Sequence, residues 1–103
     1  MQLVRSREFT ADRAWGAVSV ANMNGITVRV YWTDKPYKWH LNDGEEVFAV
    51  LDGTVDMHCR EAGVESVVTL QVGDVLFAHV GCEHVVHPRG EVRVLVVERE
   101  GSV

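Results

Sequence analysis

The sequence predicts an all-β fold, either a barrel or a sandwich of short antiparallel strands. Valine is the commonest apolar residue and no stretch is rich in alanine and leucine, a composition that favours strands. Short apolar runs alternate with turn residues along the chain, and one of these runs has a strict period of two. With 103 residues, 47% of them hydrophobic, the chain can form one compact core, so we expect a single domain over residues 1–103.

The first two strands are predicted to form a hairpin. The apolar runs 17–23 and 26–32 flank Asn24-Gly25, and both turn residues tolerate a positive φ, which makes this pair a strong hairpin signal. A shorter run covers residues 36–41 and ends at a turn rich in Asn, Asp and Gly. Before the hairpin, residues 8–15 are the only segment with helical character.

The middle of the chain predicts two strands separated by a turn at Asp52-Gly53. Residues 46–51 form a nearly continuous apolar run. Residues 55–60 alternate strictly between apolar and polar side chains, as a half-buried strand does. Two further strands are predicted at residues 66–70 and 75–80, with glycine-containing turns before them.

The last two strands are predicted at residues 84–87 and 92–98. Pro88-Arg89-Gly90 breaks the chain between them. Short strands at this regular spacing, with turn residues between them, are typical of all-β barrels and sandwiches. The pattern alone does not choose among the known barrels.

The charge pattern argues against two classes of partner. The formal net charge is -5 and no block of Lys or Arg occurs, so we expect neither a nucleic acid nor an anionic membrane as a partner. No apolar stretch has the length needed to span a bilayer, and the opening residues carry charges in place of the apolar centre of a secretory signal. We therefore expect a cytoplasmic protein in which Cys59 and Cys82 are free thiols.

Several side chains share one side of the chain at the third and fourth strands. His40, Asn42 and Glu46 have the same parity, and Phe48 and Val50 continue it. If the pleat holds through the turn, all five point to one face, and the apolar pair indicates that this face is inside. A buried imidazole and carboxylate are costly unless they pair or bind an ion. Two interpretations stay open, a hydrogen-bonded His40–Glu46 pair and a divalent cation site.

Residues 39–53 resemble the first sequence motif of the cupin superfamily. That motif runs His-x-His, three or four residues, Glu, six residues, Gly. His40 stands at its first His, Glu46 at its Glu, and Gly53 at its closing Gly. The second His of the motif is Asn42 in this chain, and this departure concerns the metal site directly.

Residues 73–84 resemble the second cupin motif. That motif runs Gly, five residues, Pro-x-Gly, two residues, His, three residues, Asn. Its two glycines and its His are matched, as Gly73, Gly81 and His84. Its Pro and its Asn are replaced, by His79 and Pro88, which affects the shape of a turn and a barrel edge. The resemblance covers roughly residues 15–100, with both motifs in the right order.

The resemblance implies a cupin-type β-barrel, a double-stranded β-helix or jelly roll, with a metal site inside it. The ligands would be His40, Glu46 and His84, with Asn42 as a candidate fourth. Two imidazoles and one carboxylate match the donor set of non-haem Fe sites, and Mn, Ni or Zn would accept the same donors. Because an amide oxygen is a weaker ligand than an imidazole, Asn42 implies weaker affinity, an additional open position, or loss of the metal.

The other histidines and the thiol near His84 are expected to lie outside this site. His58 falls on the polar side of its strand, and His87 has the parity opposite to His84. His79 lies next to the turn that presents His84; a histidine without a chemical role is the leading interpretation, and an acid or base at the barrel mouth is the alternative. Cys82 is expected to be a turn residue, with coordination of the metal as the alternative.

Three functions are compatible with these residues. The first is an enzyme that uses the metal on a small organic molecule, with dioxygenation, isomerisation or decarboxylation as reactions consistent with the family. The second is a non-catalytic module that binds a small ligand. The third is a metal-free cupin in which Asn42 marks the loss of the site. No catalytic residue is assigned; Glu46, His79 and Glu83 are the candidates to move protons.

The resemblance further implies a homodimer. The N-terminal residues and the outward-facing Val47, Ala49 and Leu51 are the candidates for contact with a second copy. Trp39 has the parity opposite to His40, so we expect it to pack outside the barrel or at the same contact.

Overall fold

The chain folds into seven antiparallel strands, seen in a computed structural model that describes residues 1–102. In chain order the strands are β1 (Gly16–Met23), β2 (Ile26–Thr33), β3 (His40–Leu41), β4 (Glu46–Glu61), β5 (Val64–Leu70), β6 (Val75–Ala78) and β7 (Glu83–Arg99). Among these residues the one helical element is a three-residue 3-10 turn at Ser6–Glu8, so the all-β prediction is confirmed. None of them forms a helix that is long and apolar enough to cross a membrane.

Strands β4 and β7 form the spine of the fold. They pair from Glu46 opposite Glu98 to Arg60 opposite Glu83, with register shifts around Asp52. In the half that contains Glu46, which we call the first half, β6 lies beside β4 and β2 lies beside β7, and β1 pairs with β2. In the second half, β5 lies beside β4 and β3 lies beside β7. One continuous sheet is thus folded into two facing halves, which is the jelly-roll arrangement.

The spine bends at Gly53, between the two halves. The φ of Gly53 is +83°, and a Cβ added there would lie 2.6 Å from the carbonyl oxygen of Glu91 and 2.8 Å from Cγ1 of Val92. Only glycine accommodates both the backbone conformation and the close approach. The sequence predicted strand ends at Asp52-Gly53 and at residues 88–90, and this prediction is wrong. Both strands continue through these points as bends, because each keeps its partner on the other side.

Alternate side chains of the spine fill the interior. Before the bend, Phe48 and Val50 point inward with even parity. After it, Val55 and Met57 point inward with odd parity, because the irregular pairing at the bend shifts the pleat by one residue. The strict alternation predicted for residues 55–60 is therefore confirmed. Further buried residues of the same core are Leu70, Val86, Val92, Val94 and Val96.

The β1–β2 hairpin has the turn that its sequence predicted. Asn24 and Gly25 both have positive φ, at 54° and 86°, and Met23 lies opposite Ile26. The backbone twist of such a two-residue turn matches that of the flanking strands, which explains why this sequence pair selects the hairpin.

The helical character predicted for residues 8–15 is not observed. After the short turn at Ser6–Glu8 the chain forms bends and turns that run along the barrel. The guanidinium of Arg93 on β7 donates to the carbonyl oxygen of Phe9 at 2.7 Å and to Oγ1 of Thr10 at 2.9 Å. These bonds to the barrel take the place of the internal hydrogen bonds of a helix, so tertiary contact overrides the local tendency.

Candidate metal centre

His40 and His84 face each other across β3 and β7. They are register partners, with ring centroids 4.2 Å apart and ring planes at 63°. Asn42 extends this pairing beyond β3, since its N–H donates to the carbonyl of Cys82 at 3.0 Å and its carbonyl accepts from the N–H of Gly81 at 3.0 Å. The two-residue strand is therefore held against β7 by more backbone bonds than its length alone would supply.

Glu46 and Glu98 are register partners in the opposite half of the barrel. Glu46 is 8% exposed, and its Oε1 lies 3.6 Å from Nε2 of His84, beyond hydrogen-bond distance. One ligand atom from each of His40, Glu46 and His84 lies within 4.8 Å of the other two. The second half of the barrel therefore supplies two imidazoles, the first half supplies the carboxylate, and the three meet inside.

The ring of His40 is oriented by the backbone. Its Nδ1 lies 3.3 Å from the carbonyl oxygen of Lys38, and a proton on Nδ1 would be donated there, which leaves Nε2 unprotonated. Burial and the neighbouring imidazole of His84 lower the pKa of His40, although the Lys38 carbonyl opposes the shift. His40 is thus kept in the neutral form that a metal ligand requires.

Glu98 is a site residue that the sequence patterns did not reveal. Burial, followed by the charge of the adjacent Glu46 carboxylate, raises the pKa of Glu98 to about 7. Glu98 belongs to neither cupin motif, and its register with Glu46 is a property of the folded spine. A signal existed in the last strand, because Glu98 continues the even parity of the inward-facing Val94 and Val96.

A cavity of about 210 Å³ opens onto these residues. Three aromatic side chains line it on one side, with the ring of Trp15 packed edge-to-face against Tyr31 and Tyr37 at centroid distances of 5.9 Å and 5.3 Å. Trp15 has a positive φ of 60°, unusual for a large residue, and its indole N–H donates to the carbonyl of Lys35 at 3.1 Å. The remaining lining residues are His40, Glu46, Phe48, His84, Val86, Val96, Glu98 and Ser102.

Asn42 lies close to the site but does not line the cavity. Its side chain is 3% exposed, and Nδ2 donates to the carbonyl of Ala78 on β6 at 3.4 Å. Through its backbone and side chain together, Asn42 ties the turn after β3 to the turn that precedes β7 and to β6. This bonding accounts for a buried amide at a position where the motif has an imidazole.

The two other candidates for proton transfer lie away from the cavity. His79 is exposed, and its Nε2 is 3.7 Å from Oε1 of Glu61. Glu83 accepts from the guanidinium of Arg60 at 3.2 Å, and the ring of Trp39 lies over the same guanidinium at 4.2 Å. Neither His79 nor Glu83 lines the cavity, so the structure does not bring them to the other site residues. Trp39 packs outside the barrel, as its parity predicted.

Both cysteines are free, as predicted. Burial raises the pKa of each thiol, so both are weak nucleophiles at neutral pH. Sγ of Cys82 lies 3.8 Å from the carbonyl oxygen of Glu83, and the thiol is not among the residues that line the cavity.

A divalent cation fits the converging donors. Two imidazoles and a carboxylate are donors that iron, manganese, nickel and zinc accept. Two observations independent of the motifs agree with this. Nδ1 of His84 is buried without a hydrogen-bond partner anywhere in residues 1–102, and the carboxyl groups of Glu46 and Glu98 lie side by side. A cation at this point would lower the cost of burying these groups.

Two solved structures match nearly the whole barrel. A cupin-2 domain containing protein from Shewanella frigidimarina NCIMB 400 is 25% identical, with a TM-score of 0.77 over 87% of this chain and 85% of that chain. A cupin superfamily protein from Desulfitobacterium hafniense DCB-2 is 14% identical, with a TM-score of 0.75 over 97% of this chain and 91% of the other. No family model and no curated protein matches the sequence.

A larger protein contains the same barrel as part of its chain. The structure of Fe(II) HppE is 17% identical over 72% of this chain and 43% of its own, with a TM-score of 0.63. At this level of identity the likeness shows the fold alone. The molecule is therefore a small all-β barrel with a His-Glu-His cluster inside it, and its fold is that of the cupin superfamily.

Proposed function

We propose that this chain is a metal-binding cupin that takes a small organic molecule into its barrel. The ligands of the proposal are His40, Glu46 and His84, and the observation that carries it is their convergence from opposite halves of the barrel within 4.8 Å. The ligand or substrate would enter the cavity of about 210 Å³ beside them, which suits a small molecule.

The identity of the ion is left among Fe, Mn, Ni and Zn, because all four accept nitrogen and carboxylate donors. The Fe(II) form of HppE, which shares the barrel, makes iron one reasonable member of that group. When bound, such an ion supplies a Lewis acid that polarises an oxygen-bearing group of a substrate or activates water or oxygen. Dioxygenation, isomerisation and decarboxylation of a small organic molecule are the reaction types included in this proposal.

The side chains around the proposed ion would bind and orient its partner molecule. The rings of Trp15, Tyr31 and Tyr37 form an apolar wall that covers the flat or apolar part of a ligand and excludes water. In the metal-free chain, burial and the Glu46 carboxylate raise the pKa of Glu98 to about 7, so this group can hold or release a proton near neutral pH before an ion is bound. In this proposal Glu98 replaces His79 and Glu83 as the group that moves protons, since it is the one of the three that lines the cavity.

We place Asn42 outside the ligand set. Its amide nitrogen bonds to the Ala78 carbonyl, and its side chain does not line the cavity. With three protein ligands, more coordination positions stay open to water or substrate than in a four-ligand site. Asn42 then acts as a positioning residue that holds the end of β3, and with it His40, against β7.

A metal-free module that binds a small ligand is the second candidate. The raised pKa of Glu98 favours it, because a proton shared near Glu46 would reduce the repulsion between the two carboxyl groups without any ion. The hydrogen-bonded His40–Glu46 pair expected from the sequence as an alternative does not contribute here, since within residues 1–102 the ring of His40 has the Lys38 carbonyl as its hydrogen-bond partner. His84 does not replace it, because its Nε2 lies 3.6 Å from Oε1 of Glu46.

Elemental analysis of protein purified without chelator separates the two candidates. The metal-binding proposal expects about one equivalent of metal per chain in the native protein and less than about a tenth of that in His40→Gln, since His40 is only half-buried and its loss should spare the fold. His79→Gln is the matched control, because His79 is exposed outside the cavity. Protein that folds, binds a small ligand and never retains metal would support the metal-free module instead.

We also propose that the chain assembles as a homodimer, with β5 as the point of contact. β5 lies at an edge of the sheet, and two copies of one edge strand can pair about a two-fold axis. Its exposed apolar side chains include Val64 and Val67. Of the contact residues expected from the sequence, Ala49 is a poor candidate, because it is already buried within its own chain, with 8% of its surface exposed. Light scattering tests the assembly, and Val67→Lys should shift it to monomer.

The two free thiols bear on the proposed cytoplasmic location. Cys59 and Cys82 carry raised pKa values and form no disulfide, as is usual for proteins in a reducing compartment. Fractionation of the native source, with detection of this chain in the cytoplasmic or the exported fraction, tests this part of the proposal.

A further inference from the structure

A second pair of histidines lies on the outside of the spine. His58 on β4 and His87 on β7 have ring centroids 4.3 Å apart, with ring planes at 49°. They occupy diagonal positions on neighbouring antiparallel strands, since His58 pairs with Val85 and His87 pairs with Asp56. Both rings are partly exposed, and neither lines the cavity. We call His58 and His87 the outer pair, and His40 and His84 the inner pair.

We propose that the outer pair is a second metal site, which binds one late transition-metal ion such as Cu²⁺, Ni²⁺ or Zn²⁺ through two imidazole nitrogens. The strands that carry the two histidines are hydrogen-bonded to each other, so the rings are held together before any ion arrives. Once one imidazole has bound an ion, the second imidazole is held nearby and so has a high effective concentration for the same ion. The site shares no residue with the cluster inside the barrel.

The surroundings of the outer pair restrict it to nitrogen donors. The carboxylate of Asp56, the register partner of His87, accepts from Arg89 at 2.8 Å and 2.9 Å and from Oγ1 of Thr69 at 2.7 Å. These three bonds occupy both oxygens of Asp56, and the Arg89 guanidinium offsets its charge. The cross-strand neighbours of His58 are the apolar Val67 and Val85.

A site with two imidazoles and no free carboxylate selects among metals. Imidazole suits copper, nickel and zinc, whereas magnesium, calcium and manganese prefer oxygen donors. Affinity should rise along the series toward copper, and solvent would fill the remaining positions because the rings lie at the surface. The outer pair therefore differs in metal preference from the inner cluster, which includes a carboxylate.

Titration of the purified, untagged chain with Ni²⁺ and Zn²⁺ tests the proposal, with retention on an immobilised Ni²⁺ column as a second readout. We expect His58→Gln and His87→Gln each to weaken one class of binding by about 100-fold, because either change removes the chelate effect. His79→Gln, which removes a single exposed histidine, is the matched control and should bind as the native chain does. With Cu²⁺ added to His40→Gln, in which the inner pair is broken, electron paramagnetic resonance should show two nitrogen ligands at the outer pair, and one when His58→Gln or His87→Gln is introduced as well.

The outcome is independent of the site inside the barrel. The same titration in His40→Gln should leave the outer binding unchanged, even if the inner site never holds metal. Unchanged Ni²⁺ and Zn²⁺ affinity in both His58→Gln and His87→Gln would overturn the proposal. Circular dichroism checks that the variants fold, and His58→Asn, with a smaller side chain at the same partly exposed position, provides a replacement should His58→Gln fold poorly.

Discussion

The inner and outer pairs of histidines show how one strand can present similar rings to very different surroundings. His84 and His87 lie three residues apart on β7 and point to opposite faces, and the centroid distances of their pairs are almost equal, at 4.2 Å and 4.3 Å. The inner pair is closed in by aromatic rings and two carboxyl groups, whereas the outer pair lies on the outside of the spine and is partly exposed. If both proposals hold, the neighbouring carboxylates and the exposure, rather than the spacing of the imidazoles, would set which metal each pair prefers and how tightly it binds.

The largest effect should come from His84→Ala. His84 is 2% exposed and its Nε2 lies 3.6 Å from Oε1 of Glu46, so under the proposed ligand set we expect its removal to reduce the metal retained by the inner cluster from about one equivalent per chain to less than about a tenth. Elemental analysis measures the metal, and Ni²⁺ titration of the same variant should still detect the outer pair. Full retention of native metal in His84→Ala would refute the proposed ligand set.

Gly53→Ala should damage the bend, and with it the inner site, while the outer pair is less affected. The inner site needs both halves of the barrel, whereas His58 and His87 lie in the second half alone. The added Cβ collides with the Glu91 carbonyl at a positive φ, so we expect a loss of about 2–3 kcal/mol in the free energy of unfolding. Urea denaturation measures the loss, with Gly63→Ala as a control at a positive φ in open space. A smaller loss in Gly53→Ala than in the control would contradict this account of the bend.

Two variants should change the pH dependence of the metal-free protein in opposite directions. The raised pKa of Glu98 means that the folded chain keeps a proton that the unfolded chain releases. The contribution of Glu98 to the free energy of unfolding therefore falls as pH rises from about 4.5 to 7. The lowered pKa of His40 means that the unfolded chain takes up a proton that the folded chain does not bind. The contribution of His40 to the free energy of unfolding therefore falls as pH falls below 6.5.

Thermal unfolding between pH 5 and pH 8, with chelator present, measures both contributions. Relative to the native chain, Glu98→Gln should raise the melting temperature more at pH 8 than at pH 5. His40→Gln should raise it more at pH 5 than at pH 8. Identical pH profiles for the two variants would show that the inner cluster does not perturb these groups.

The smallest effect should come from Arg89→Gln, which makes the outer pair more like the inner one. Arg89 holds the pKa of Asp56 at about 2 and occupies its oxygens, so its removal frees a carboxylate beside His87. We expect the Zn²⁺ affinity of the outer pair to rise by up to about tenfold, the order of one added charge near the surface. Isothermal titration measures it, and an unchanged affinity would mean that Asp56 does not reach the ion.

Local signals in the sequence were enough for the parts of the fold that depend on neighbours in the chain. The Asn24-Gly25 turn and the alternation of residues 55–60 are properties of the backbone over a few residues, and both are observed. The convergence of His40, Glu46 and His84 is also observed, and it was predicted by resemblance to known motifs. The ligand role of those residues stays a prediction.

The features that the sequence missed depend on register between distant strands. Glu98 becomes a neighbour of Glu46 only when β4 and β7 pair along their full length, and the outer pair requires the same register. The turns expected at Asp52-Gly53 and at residues 88–90 are bends, because pairing partners on the other strand keep both strands going. Turn residues specify a change of direction, and the partner strand decides whether the strand also ends.

The path of the spine has a consequence for how the inner cluster comes into existence. Glu46 begins β4 and His84 lies near the start of β7, so they belong to opposite ends of one antiparallel ribbon, yet their side chains are 3.6 Å apart. The ribbon must curl through its whole length before these ends meet. An unfolded or partly folded chain thus has no preformed metal site. An ion that binds at the inner cluster would bind the folded chain alone, and its binding free energy would therefore stabilise the completed barrel.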